Sequence, residues 1–125
     1  MENLEKLMLL INKAEYLKAY ELSCQLLKKD KESHTLHNLQ GIINLHISKY
    51  DDAILNFREA IKLKRNFFDP HNNLGQAYFK IGKLDIAIEN YKNALLIDKK
   101  SYIVYTNLAK IYFLKKEFSN SFEYL

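Results

Sequence analysis

The stretch Asn73-Leu74-Gly75-Gln76-Ala77-Tyr78, followed by Gly82 and then by Asp85, Ala87-Ile88, Tyr91 and Ala94-Leu95, decides the fold. Leu74, Ala77, Tyr78 and Ile81 lie on one stripe of a helix. Asp69 is placed to cap that helix, with Pro70 at its first position, where a missing N–H costs nothing. Gly82 suits the turn that ends it. Leu84, Ala87, Ile88, Tyr91, Ala94, Leu95 and Ile97 then mark a second amphipathic helix ending near Asp98, and Ser101 is placed to cap the next. The spacing predicts a helical hairpin over 70–81 and 84–97.

Outward from this hairpin the same unit recurs. Ala19, Ala53, Ala87 and Ser121 are each 34 positions apart, followed by Tyr20, Ile54, Ile88 and Phe122. Three positions ahead of the small residue stand Tyr16, Tyr50, Leu84 and Phe118. One such unit cannot bury its apolar face alone, so a chain that writes it almost four times is a stacked array. The remaining helices are expected at 2–12 and 15–29, 34–47 and 50–63, and 102–114 and 117–125, with Ser33 capping the one that starts at 34. The predicted fold is all-α, a solenoid of antiparallel helix pairs. It forms a single array over 1–125 with units at about 1–33, 34–67, 68–101 and 102–125, the last incomplete. Gly41 and Gly75, one period apart, each cost a helix interior about 1 kcal/mol against alanine. The expected reason is close packing, with Ala53 and Ala87 pressing toward them, while the rings of Phe57, Tyr78, Tyr91 and Tyr112 fill the space between layers.

Composition agrees with such an array and narrows the chemistry. The 125 residues are 48% apolar, enough for a continuous core, and one proline with three glycines leaves few helix breakers. The net charge of +4 is scattered; its densest cluster, Lys28, Lys29 and Lys31, reads as a solvated helix end. Cys24 has no partner for an internal disulfide, which makes a reducing compartment, the cytoplasm, the expectation. Glu2, Glu5 and Lys6 interrupt the amino terminus, and Leu7–Ile11 is too short for a signal-peptide core. No apolar run approaches the length of a membrane span, so no membrane insertion is expected.

The motif over 73–98 resembles the tetratricopeptide repeat (TPR). Gly41, Tyr50, Ala53, Phe57 and Ala60 carry the resemblance in the second unit, and Leu108, Ala109, Tyr112, Phe118 and Ser121 in the fourth. The first unit is the weakest, with Leu7, Tyr16, Ala19 and Leu27. There are departures. Lys99 replaces the family's proline after the second helix, and His37, His71 and Tyr105 stand at the usual first-helix tryptophan. The resemblance implies about three and a half repeats in a segment of right-handed superhelix, with first helices lining a concave face. The chain stops about midway through the last helix, leaving Phe118, Phe122 and Leu125 without a covering layer, so a fragment of a longer protein is expected.

In that register the concave face carries Asn38 and Ile42, then Asn72, Asn73, Gln76, Phe79 and Lys80, then Thr106, Asn107, Lys110 and Phe113. A carboxamide donates and accepts at once, which suits the alternating N–H and C=O of an extended peptide. Asn73 and Asn107, one period apart, resemble two rungs of the asparagine ladder in the arrays of some protein glycosyltransferases; they are equally readable as solvated polar residues. The family's clamp for a terminal carboxylate is absent. Asn73 matches one position, but Asn38, Ile103 and Asn107 stand where basic residues are needed, and Ile42 where asparagine is needed.

Catalytic chemistry finds no constellation. His34 and His37 share a helical face without a third ligand, and His37 and His71 are expected to pack or cap; no metal or other cofactor is expected. Neither Cys24 nor any serine has partners for nucleophilic catalysis, and no phosphate-cradling loop is present. The expectation is a non-catalytic interaction module, a scaffold or adaptor that takes a protein or peptide partner on its concave face. The alternative is the N-terminal targeting segment of a larger glycosyltransferase, sulfotransferase or methyltransferase. Nucleic acid is not expected, because concave cations are few. The uncovered carboxy-terminal end would also support self-association.

Overall fold

A computed structural model describes residues 2–123, with side chains described through Lys116. Among the described residues there are seven α-helices and no strand: α1 (Glu2–Asn12), α2 (Tyr16–Lys29), α3 (His34–His46), α4 (Tyr50–Leu63), α5 (Phe68–Lys80), α6 (Leu84–Ile97) and α7 (Tyr102–Glu123). Each helix packs on the next, and α3 also touches α5. First helices of successive pairs therefore form one layer and second helices the other, which is an all-α solenoid.

The turns inside the three pairs share one geometry. Ala14, Ser48 and Gly82, each one period apart, adopt left-handed φ values of 60, 64 and 80°. The next residue's N–H then reaches back to a carbonyl in the last helical turn: Glu15 to Leu10 at 2.9 Å, Lys49 to Asn44 at 2.8 Å and Lys83 to Tyr78 at 2.9 Å. This satisfies carbonyls that a helix end leaves open. Only Gly82 is a residue that advertises the conformation.

The turns between pairs are pinned from the following helix. His37 Nε2 donates to the Lys31 carbonyl at 2.8 Å, and His71 Nε2 to the Arg65 carbonyl at 3.0 Å. Tyr105 makes the same bond with its hydroxyl, to the Lys99 carbonyl at 2.9 Å. The position thus works as a tie between helix and turn, a role distinct from ring packing. Ser33 caps α3 through the Leu36 N–H at 3.1 Å, and Ser101 accepts from Val104 N–H at 3.4 Å.

Three local expectations are corrected. The capping role assigned to Asp69 fails: α5 starts at Phe68, with Phe67 at its N-cap and no side-chain cap bond. The period, and not the proline, sets the start. Any of the first helical N–H groups lacks an intrahelical acceptor, so Pro70 is tolerated at the third position too. The glycines meet aromatic rings instead of the alanines, for a Cβ at Gly41 would fall inside the Phe57 ring contact and one at Gly75 inside that of Tyr91. Those two rings lie within their own pairs. Finally, α7 runs unbroken from 102 to 123, where the sequence period predicts two helices, 102–114 and 117–125. The fourth left-handed position would fall at Lys116, in a Lys-Lys-Glu run of good helix formers. The expectations for Phe118, Ser121, Phe122 and Leu125 lie outside the described side chains.

The interior is divided. Leu7, Ala19, Leu36 and Ile43 form an apolar cluster in α1–α3. Ala53, Phe57, Leu74, Tyr91, Val104 and Ile111 belong to a larger one running from α4 to α7. Polar side chains of α2, α3 and α4 form a chain of their own. Asn44 donates to Asn56 at 2.7 Å, Asn56 to Gln40 at 2.9 Å, and Gln40 to Ser23 Oγ at 3.1 Å and Cys24 Sγ at 3.3 Å.

Candidate functional site

The layer of first helices is joined by carboxamides. Asn73 Nδ2 donates to Asn38 Oδ1 at 3.1 Å, linking α5 to α3. Asn107 Nδ2 donates to Asn72 Oδ1 at 3.3 Å, linking α7 to α5. Both pairs are 35 residues apart, one residue out of step with the period. Asn73 and Asn107 are therefore not a free pair of equivalent rungs; each spends one N–H on the neighbouring helix and keeps its Oδ1 and second hydrogen. Asn38 is 4% exposed, which corrects its assignment to an open face: its carboxamide orients Asn73. Asn72 and Asn73 are half-buried.

Between α5 and α7 a cleft of about 230 Å³ opens, lined by Gln76, Phe79, Lys80, Tyr91, Asn107 and Lys110. Gln76, Phe79 and Lys80 come from the last two turns of α5, and Asn107 and Lys110 from one turn of α7. Helical spacing of three and four residues is what aligns them on facing surfaces. Four of the residues expected at the site, Gln76, Lys80, Asn107 and Lys110, thus converge here, together with Phe79. Thr106 does not line the cleft; its hydroxyl donates to its own helix at the Tyr102 carbonyl, 2.8 Å away. Ile42 packs against the core, and Phe113 is 64% exposed.

Tyr91 is the lining residue that the sequence assigned to the core alone. It stands on α6, and its ring crosses the bare backbone of Gly75 to reach the first-helix layer. A signal did exist: where the preceding unit has Phe57 opposite Gly41, this one has a ring with a hydroxyl. Burial pushes the Tyr91 hydroxyl well above the usual tyrosine range, so it stays neutral and able to donate and accept.

Electrostatically the cleft is one-sided. Lys80 and Lys110 are exposed at its rim, and no carboxylate lines it. The nearby ion pair of α7, Lys115 with Asp85, ties that helix to the amino-terminal end of α6 and leaves Lys110 outside it. Two ammonium groups, two side-chain amides, a neutral phenol and one aromatic face can hold an anionic group beside an apolar one. They offer no nucleophile with its base, and among the described residues no three candidate metal ligands cluster.

A family model described as TPR repeat matches residues 47–82 and 75–116. Among solved structures, the first TPR of Spaghetti (RPAP3), bound to the HSP90 peptide SRMEEVD, is similar with a TM-score of 0.85 at 20% identity, over 90% of this chain and 89% of that one. The second TPR domain of human RPAP3, in complex with the HSP70 peptide SGPTIEEVD, has a TM-score of 0.82 at 23% identity, over 87% and 91%. MamA has a TM-score of 0.85 at 24% identity, over 91% of this chain and 67% of its own. No curated protein sequence matches the chain.

Proposed function

Because this chain belongs to the tetratricopeptide-repeat family, we propose that it is a peptide-binding adaptor that takes an extended acidic segment of a partner protein into the α5–α7 cleft. The observation that carries this is the pairing of Lys80 and Lys110 in a cleft without any carboxylate, beside the half-buried ring of Phe79. Gln76, Asn107 and the Tyr91 hydroxyl supply the donors and acceptors that a peptide backbone loses when it leaves water. In support, two structurally similar TPR domains are bound to peptides that carry consecutive glutamates, SRMEEVD and SGPTIEEVD. This chain lacks the residues of the terminal-carboxylate clamp, so side-chain carboxylates within a segment are the fitting ligand. The module acts by binding alone.

The test is fluorescence anisotropy with a labelled peptide carrying Glu-Glu next to a leucine, set against its Gln-Gln counterpart. The acidic peptide should bind about tenfold more tightly, since two exposed charge contacts are worth about 0.2–1 kcal/mol each. Lys80→Gln with Lys110→Gln should erase that preference. Equal affinity for both peptides in the unsubstituted protein would overturn the reading.

A further inference from the structure

The turns α2–α3, α4–α5 and α6–α7 all emerge along one edge of the array, because each joins a second helix to the next first helix and neighbours run antiparallel. Cations recur there at the period: Lys31, Arg65 and Lys99, accompanied by Lys29, Lys64 and Lys100, all of them exposed. None of them lines the α5–α7 cleft.

The third turn breaks the pattern of the other two. Leu96 stands where the earlier units have Lys28 and Lys62, and Ile103 where they have Thr35 and Asp69. Leu96 is 76% exposed, Ile103 48%, and Tyr102 between them 76%. The end of the array does not explain the exposure of Leu96 and Ile103. Lys28, Lys62 and Asp69 are exposed as well, although further helices follow them. The Leu96 position faces water in all three units; the Ile103 position is exposed at Asp69 and half-buried at Thr35, and both positions are aliphatic only here. The tip is also held in shape: Tyr105 donates to the Lys99 carbonyl, and Lys100 N–H donates to Asp98 Oδ1 at 3.1 Å. That bond turns one oxygen of the exposed Asp98 onto its own backbone; its charge remains, and Lys99 and Lys100 outnumber it beside the apolar tip.

We propose that this edge docks the protein on an anionic lipid surface, with Leu96, Tyr102 and Ile103 entering the headgroup boundary and Lys99, Lys100 and Arg65 lying against the phosphates. A bilayer interface offers both things the edge presents, negative charge and a place for aliphatic side chains, and a tyrosine ring is at home at that depth. A nucleic acid would satisfy the cations and leave Leu96 and Ile103 in water. The contact is peripheral, since among the described residues no helix is long and apolar enough to cross a membrane.

The sequence contains no tryptophan, so Tyr102→Trp places a single reporter at the tip. With vesicles of phosphatidylcholine mixed with phosphatidylserine, its emission should shift to the blue and be quenched by spin-labelled lipid. Phosphatidylcholine alone should leave it unchanged. Adding Leu96→Ser and Ile103→Thr should weaken vesicle binding about tenfold, as should Lys99→Glu with Lys100→Glu. Both pairs are exposed, and circular dichroism checks that the variants remain helical. No shift with anionic vesicles, or undiminished binding by the Ser/Thr variant, would overturn the proposal. So would a reporter that answers to a short RNA or an acidic peptide and not to vesicles.

Discussion

Tyr91 joins the core to the cleft, and its two duties rest on one neighbour. Its ring can cross toward the first-helix layer only because Gly75 has no side chain. Gly75→Ala gains about 1 kcal/mol of helix propensity and forces the buried ring aside at a cost of about 1–3 kcal/mol. Urea unfolding should show a net loss of stability, and the same result is expected at Gly41 under Phe57. The hydroxyl adds a pH signature. Its folded-state pKa lies above its unfolded value of 10.0, so the stabilising neutral form is fully present below that pH and is lost as pH climbs toward the folded value. Thermal melts should therefore fall above about pH 10 more steeply in the unsubstituted protein than in Tyr91→Phe.

At the scale of the helical elements, pairs are closed by a backbone state more than by a residue type. Gly82 enters the left-handed turn freely, but Ala14 and Ser48 adopt it at a cost of about 1–2 kcal/mol each. Packing of the paired helices supplies the difference. Ser48→Gly should stabilise the protein by up to about 1 kcal/mol, after the unfolded-state entropy of glycine is subtracted. A chemical-denaturation midpoint that does not rise would show the turn to be unstrained. The fourth equivalent position, Lys116, lies inside α7, which continues to Glu123. In the described structure, then, sequence periodicity outlasts structural periodicity: a hairpin forms where docking repays the turn, and the helix runs on where local propensity prevails.

Across the whole molecule, the polar chain Ser23–Gln40–Asn56–Asn44 runs between two apolar clusters, beside the apolar contacts that Ile42 and Leu45 of α3 make with the larger one. In a linear array each unit leans on its neighbours alone, and a polar junction weakens that coupling further. Leu7→Ala, at a fully buried site of the α1–α3 cluster, should cost about 2–5 kcal/mol there. Residue-resolved hydrogen exchange should then show α1 and α2 opening far more readily, with α5 and α6 little changed. Uniform acceleration across the array would mean that the polar chain couples the clusters instead of separating them.

The sequence by itself determined the period, the first three helix pairs and the solenoid, because a 34-residue spacing of small and aromatic residues has no other way to bury its apolar faces. It also placed Gln76, Lys80, Asn107 and Lys110 on one layer, since helical register is a local property. Only the tertiary structure decided which side chains meet across helices. The carboxamides pair one residue out of step with the period, Asn38 is sealed beneath Asn73, and Tyr91 reaches the cleft from the other layer. Such contacts depend on how neighbouring helices cross and on where a missing Cβ opens a path, and neither quantity is written within any single helix.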